Sequence, residues 1–385
     1  MQNTRRLTLL LLSIVFVSCG TPDRDELPED VRNLENLTVL STDDIPPLEL
    51  QPEATFGSTD TVIIGQLGDV VADDRGRVYL TDRSQKYIHV FASDGSYLAR
   101  LGGEGRGPGE FMFPGNAAVI SDRLFMQDVM LSRMNVYDLN AMENARSFVL
   151  NPKNTGQYPE LEGYSARQFL VANDSTMVVR FSRGGAVPTA EEPADVLFYR
   201  MDPDGQIEGE QILRLPDMQY LTTTIDGQFR ASFFSFNPNS LIALSGESTI
   251  YTADNREFLI RVYDLNGTYR KAIYAPYEAP LLDQDDLVEE YDNEMHKKMI
   301  RESALPERWP VLRSMRVDEE NRLWISLLNA NSDSSEWWVI SDSGEILGRF
   351  TLPAEESLQA IRDGNIYVRS SRKNEADIVI RYGVL

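Results

Sequence analysis

The stretch VVADDRGRVYLTDRSQKYIHVFASDGSYLARL, residues 70–101, carries the clearest structural pattern in the chain. Apolar and polar residues alternate in four short runs: Val70–Ala72, Val78–Leu80, Tyr87–Phe91 and Tyr97–Leu101. Alternation with a period of two is typical of half-buried β-strands. Asp94-Gly95 supplies the positive φ that a tight hairpin requires. The stretch therefore predicts four short antiparallel strands.

The same order of strands and turns recurs five more times along the chain. The copies occupy residues 118–140, 169–205, 241–267, 315–344 and 358–382. Most of them are not separated by segments of helical periodicity, so parallel strands joined by helices are not expected. Repetition of this kind predicts an all-β fold, a β-propeller of six four-stranded antiparallel blades.

The sixth copy ends after its third strand, Ile378–Tyr382, at the C-terminus. A lone candidate strand, Leu37–Leu40, lies near the other end of the chain. We expect this N-terminal strand to complete the last blade, because closing the ring removes an exposed sheet edge. Residues 46–64 could hold one more pair of strands, so the pattern leaves a seventh blade open.

The segment LGGEGRGPGEF, residues 101–111, resembles the linker between blades of NHL-type propellers, in which Gly-x-Gly-Pro-Gly-Glu-Phe recurs. The whole chain is similar to six-bladed β-propeller lipoproteins of that kind, most clearly over residues 65–140. The glycines let the chain turn steeply from an outer strand to the next inner strand. A phosphate-binding loop is excluded, because neither a Lys-Ser/Thr pair nor a helix follows.

The N-terminus resembles a bacterial lipoprotein signal. Arg5 and Arg6 precede the apolar run Leu7–Val17, which is too short to span a bilayer, and Ser18 precedes Cys19, the only cysteine. The resemblance implies that residues 1–18 are a signal peptide and that Cys19 is lipidated. It also implies a location in the bacterial cell envelope, on the outer membrane, because Gly20 follows the cysteine. An ordinary cleaved signal peptide is the alternative. Residues 19–34 are polar and acidic and predict a flexible tether, followed by a single propeller domain over 35–385.

One segment, residues 281–304, departs from the strand pattern. Apolar residues at three-to-five spacing predict a helix inserted between blades 4 and 5. Its many acids suggest a calcium loop, but the sixth position counted from Asp283 is Val288 where an EF-hand needs glycine. We therefore interpret the acids as a solvated helix surface.

The composition narrows the classes of function. With 60 acidic and 37 basic residues the net charge is −23, which disfavours binding to nucleic acid. Only two histidines, His89 and His296, are present, and neither lies in a recognisable nucleophile motif. No cofactor is implied, and the chain is expected to be a monomer and more plausibly a non-enzyme than an enzyme.

Polar residues directly after second strands are the candidate binding site. In propellers of the resembling kind such positions surround one mouth of the central channel, where arginines on an acidic protein would attract anionic ligands. The candidates are Asp82, Arg83, Asp128, Arg180, Arg183, Asp254, Arg256, Asn329, Arg369 and Arg372. The alternative is that these residues are simply the polar side chains of solvent-exposed loops and bind no ligand.

Two functions follow from these observations. The first is a membrane-anchored, non-catalytic protein that binds a protein, peptide or glycan through one propeller face. The alternative is a metal-dependent lactonase-like hydrolase, since propellers of that class hold calcium or zinc in the channel. Its candidate ligands, Asp82, Asp128, Asp254 and Asn255, are also residue types that cap turns. A purely structural envelope component is a third possibility.

Overall fold

The computed structural model describes residues 24–385 except 151–153, 174–175, 186, 329–333 and 374. Cys19 and the leader, and also Asn329, lie outside the described residues. Within the described part, no helix is long and apolar enough to cross a membrane.

The fold is a ring of six four-stranded antiparallel blades, which confirms the all-β six-bladed propeller. From the axis outward, the strands of blades 1 to 3 are Leu67–Ala72, Val78–Asp82, Tyr87–Phe91 and Tyr97–Gly102; Pro114–Ile120, Arg123–Asp128, Arg133–Asp138 and Glu143–Val149; and Tyr164–Asn173, Thr176–Arg183, Asp195–Met201 and Ile207–Pro216. Those of blades 4 to 6 are Ser240–Leu244, Thr249–Asp254, Leu259–Asp264 and Tyr269–Tyr274; Leu312–Val317, Leu323–Leu327, Ser334–Ile340 and Ile346–Pro353; and Glu356–Arg362, Asn365–Ser370, Ile378–Val384 and Leu50–Gly57.

The core is divided among the blade interfaces. Each pair of neighbouring blades encloses its own apolar cluster, including the pair formed by blades 6 and 1. In that last cluster Phe56 packs edge-on against Phe91, with ring centroids 6.3 Å apart. Burial of this kind, repeated around the ring, is what the period-two alternation provides.

The strand that closes the ring is not the predicted one. Leu50–Gly57 pairs antiparallel with Ile378–Val384, whereas Leu37–Val39 lies parallel to Tyr269–Tyr274 at the outer edge of blade 4. Pro52 weakens the strand signal of residues 50–57, because proline is rare inside strands although an edge strand tolerates it. A register shift between Pro52 and Ala54 accommodates it. Residues 46–64 thus supply one closing strand, and the ring has no seventh blade.

The predicted flexible tether is also different over residues 24–34. This segment forms a 3₁₀ turn, Arg24–Glu26, and a short helix, Glu29–Arg32. Leu27 and Val31 are buried against Leu259 and Ala272 of blade 4. Burial of these two side chains, each worth about 1.5–3 kcal/mol, and the hydrogen bonds that Arg24 donates to Arg32 O and Leu34 O together hold the segment.

Both large insertions lie in connections between blades. The single helix predicted over 281–304 is in fact two helices, Gln284–Glu290 and Glu294–Glu302. The chain begins a new helix after Asn293, because the Asn293 side chain caps the N-terminus of the second helix. A hairpin that the sequence did not predict, Leu221–Ile225 with Gln228–Ser232, precedes blade 4. We call the hairpin and the two helices the cap. They share a small core around Phe234, Phe236 and Met299.

Candidate functional site

The topology puts every functional candidate on one side of the ring. In an antiparallel meander the ends of second strands and the beginnings of first strands point the same way. We call this side the loop face, and it holds the long connections 103–113, 150–163, 217–239 and 275–311. The opposite side holds short turns such as 92–96 and 265–268. The cap therefore lies on the loop face, together with the predicted ring of polar residues.

The two aspartates of the ring that are fully buried bind backbone amides. Asp82 accepts hydrogen bonds from Gly65 N at 2.7 Å and from Gln85 N at 3.0 Å. Burial tends to raise the pKa of the Asp82 carboxyl, but these amides and Ser84 hold that pKa below its ordinary value. Asp128 has the equivalent role in blade 2.

Asp128 accepts from Met112 N at 2.8 Å and from Leu131 N at 3.1 Å. Each aspartate thus ties the connection that enters its blade to the turn after the second strand. These contacts use most of the carboxylate lone pairs. The two aspartates therefore have little hydrogen-bond acceptor capacity left for a ligand.

The remaining ring residues are distributed widely over the loop face. Arg256 is paired with Asp254 at 2.7 Å, and Arg369 is paired with Asp377. Arg183 and Arg372 are exposed. A ligand-binding role for the ring stays a prediction.

Two ring arginines, Arg180 and Arg83, are partly buried. Arg180 forms an ion pair with Asp217 in a cleft of about 280 Å³ between blades 3 and 4. Arg83 is half-buried and lies 6.0 Å from the centre of the Phe113 ring. Its Nε is buried with no hydrogen-bond partner among the described residues.

The axial channel forms a cavity with a volume of about 540 Å³. All six first strands line it, and its walls combine polar and aliphatic side chains. The polar side chains on its walls include Asp69, Asn116, Gln168, Ser314, Arg316, Gln359 and Arg362. None of these was predicted. The signal in the sequence is a charged side chain flanked by apolar or small residues within a first strand, as at Asp69 and Arg316.

Among the described residues, Asp69 is one of three carboxylate residues that line the channel, together with Asp318 and Glu319, and it lies within the electrostatic influence of Arg316 and Arg83. It accepts hydrogen bonds from Ala117 N at 2.6 Å and from Val70 N at 3.2 Å. Burial raises the pKa of the Asp69 carboxyl, while the Ala117 amide and the positive charges of Arg316 and Arg83 act in the opposite direction. The group is therefore a partly desolvated acceptor at the channel wall.

The charges of Arg316 and Asp69 influence each other, although the two side chains form no ion pair. Burial lowers the pKa of the Arg316 guanidinium, and the charge of Asp69 opposes that effect. The Nε atoms of Arg316 and of Arg362 are buried without a partner in the part of the chain that the structure describes. The channel thus holds two guanidinium groups, each with a buried Nε donor that the described protein atoms do not use.

Asn255, predicted as a possible metal ligand, has a structural position. Its side chain accepts from Asn239 N at 3.0 Å and donates to Asn237 O at 2.9 Å, and its backbone carbonyl accepts from Val311 N and Leu312 N. The four backbone groups that Asn255 contacts lie at the ends of the two connections that carry the cap. Asn255 therefore fastens both connections to blade 4.

Across the described ranges, no group of three or more His, Cys, Asp or Glu side chains is close enough to hold a metal ion. His89 is buried in the third strand of blade 1, and neither ring nitrogen has a hydrogen-bond partner among described residues. His296 lies in the cap, 3.4 Å from the Ser232 hydroxyl.

Comparison with known proteins gives the fold and little more. Residues 55–160 match the DUF5128 family, described as a 6-bladed beta-propeller. No curated protein matches the sequence. A solved protein from Bacteroides fragilis NCTC 9343, described as exported, has a TM-score of 0.51 and 11% identity, covering 91% of this chain and 99% of its own. A member of the DUF4221 family from Bacteroides vulgatus has a TM-score of 0.53 and 12% identity, covering 89% and 99%. The chain shares the six-bladed propeller architecture with these proteins.

Proposed function

We propose that this protein is an exported, lipid-anchored propeller that binds its ligand without catalysis through the loop face. The observation that carries the proposal is the asymmetry between the two sides of the ring. All long connections and the entire cap are on the loop face, while the other side has only short turns. Loops displayed on a rigid scaffold are the usual carriers of recognition.

The surface chemistry of the loop face supports a protein, peptide or glycan partner. Phe229 and Phe233 of the hairpin connection are 59% and 43% exposed, and Met130 in the turn of blade 2 is 65% exposed. Aromatic side chains with such exposure are common anchors at interfaces. Arginines on the same face stand out in a chain with a net charge of −23.

The proposed anchor constrains how the propeller sits at the membrane. Arg24, which donates hydrogen bonds to Arg32 O and Leu34 O, is fixed beside blade 4 and follows Cys19 by five residues. Five extended residues span at most about 18 Å. A lipid on Cys19 would keep blade 4 close to the bilayer surface. Incorporation of a labelled fatty acid that is lost in Cys19→Ser tests the anchor.

Site-specific crosslinking tests the binding role. A photoreactive residue at Phe229 is expected to capture a discrete partner in intact cell envelopes. The same residue at Asn266, on the opposite side of the ring, is the matched control and is expected to capture none. Equal capture at both positions, or no capture at Phe229, contradicts the proposal. Calcium-dependent lactone hydrolysis by the purified chain would instead favour the lactonase-like alternative.

A further inference from the structure

We propose that the axial channel contains a binding site for a small organic acid. In this site Arg316 holds the ligand carboxylate, and Asp69 accepts a hydrogen bond from a hydroxyl or ammonium group of the same ligand. The inference goes beyond the proposed function: it concerns the channel and not the loop face, and its ligand is a small molecule and not a protein, peptide or glycan partner.

Arg316 is the first part of the argument. It projects from a first strand into the channel, is half-buried, and its Nε has no hydrogen-bond partner among the described residues. A buried guanidinium nitrogen without a partner is costly, because it loses hydration and gains no compensating hydrogen bond. A planar fork of donors matches a carboxylate. An anionic ligand would supply the missing partner.

Asp69 is the second part. Its two amide hydrogen bonds leave part of its acceptor capacity unused, because a carboxylate offers about four lone-pair positions. The charges of Asp69 and Arg316 influence each other, yet the two side chains form no ion pair. The space between them therefore separates an anion-binding group from a donor-binding group. A ligand with a carboxylate at one end and a donor at the other bridges that space.

The size and walls of the channel restrict the ligand further. A volume of about 540 Å³ lies in the usual range for small-molecule sites. The amides of Gln168 and Gln359 face the cavity beside aliphatic side chains such as Leu170 and Ile361. The side-chain amides can form hydrogen bonds with hydroxyl groups of a ligand, and the aliphatic side chains can pack against its carbon–hydrogen groups. Hydroxy acids, including acidic sugars, and amino acids both have this chemistry.

Calorimetric titration of the purified full chain in detergent tests the site. The probes are D-glucuronate, which has a carboxylate and hydroxyls; L-alanine, which has a carboxylate and an ammonium; acetate, with a carboxylate alone; and D-glucose, with hydroxyls alone. We expect glucuronate or alanine to bind at least tenfold more tightly than acetate and glucose. Tighter glucuronate identifies a hydroxy-acid site and tighter alanine an amino-acid site. Absence of binding by both at millimolar concentrations overturns the inference, and leaves crosslinking at Phe229 unaffected.

Variants assign the contacts. Arg316→Met is expected to weaken the preferred probe at least tenfold, because a charge-assisted bond is lost. Arg313→Met, on the same strand but exposed, is the matched control and should bind as the unaltered chain does. Asp69→Asn should weaken glucuronate or alanine and leave acetate unchanged, a split that a purely structural role does not produce.

Folding is monitored by thermal melting of each variant. If Arg316→Met does not fold, Arg316→Lys keeps the charge but lacks the planar fork, and a loss of affinity in that variant supports the assignment. Unchanged affinity in a folded Arg316 variant, or an equal loss in Arg313→Met, refutes it.

Discussion

Asn255 offers the sharpest test of how the loop face is held together. Asn255→Ala removes the hydrogen bonds to Asn239 N and Asn237 O, each worth about 1 kcal/mol, and leaves those backbone groups unsatisfied. Asn255 is only 4% exposed, so the penalty is about 2–4 kcal/mol. Because the cap has its own small core, we expect it to open locally before the ring unfolds.

Hydrogen exchange with peptide resolution measures this opening. Amides in residues 221–232 and 284–302 should exchange between about 30-fold and 900-fold faster in Asn255→Ala, while those of blades 1 and 2 keep their protection. Asn266→Ala, which removes one exposed hydrogen bond to Arg200 on the opposite side of the ring, is the control and should leave cap exchange unchanged. A folded Asn255→Ala chain with unaltered cap exchange would refute the fastening role.

Three further predictions concern the ring. Phe56→Ala should lower the free energy of unfolding by about 3–5 kcal/mol, and Val39→Ala by clearly less, in urea denaturation; equal effects would contradict closure by residues 50–57. Burial lowers the pKa of His89 below its ordinary value of 6.5, so its contribution to stability is complete above pH 6.5 and is lost as pH falls through the folded pKa. In His89→Phe the free energy of unfolding should therefore change less steeply with pH below 6.5, by at most about 1.4 kcal/mol per pH unit. An unchanged slope would contradict the assignment of this pH dependence to His89. Gly267→Ala should destabilise more than Gly364→Ala, because both have positive φ (+78° and +72°) but only the first would place a Cβ 2.1 Å from Ile212 O, and similar melting temperatures would contradict that.

Predictability differed between the blades and their connections. Blade strands were predictable because each contains enough alternating apolar residues to show its buried side, as in Tyr87–Phe91. The hairpin over 221–232 was missed although Asp226-Gly227 is a hairpin turn signal, since its two strands are short and mostly exposed, and contact with the second cap helix helps to hold it. The single predicted helix over 281–304 became two, because local capping by Asn293 outweighed the continuous apolar spacing.

The amino-acid sequence by itself predicted six copies of the blade pattern, the antiparallel direction of their strands and the side of the ring on which second strands end, and it left a seventh blade open. Those features follow from local alternation and turn chemistry, which act over a few residues. The tertiary structure decided which N-terminal strand closes the ring, where residues 24–34 pack, and that Asp69 and Arg316, 247 positions apart in the numbering, share one channel. Such contacts depend on the shapes and charges of distant surfaces, which a local pattern does not encode.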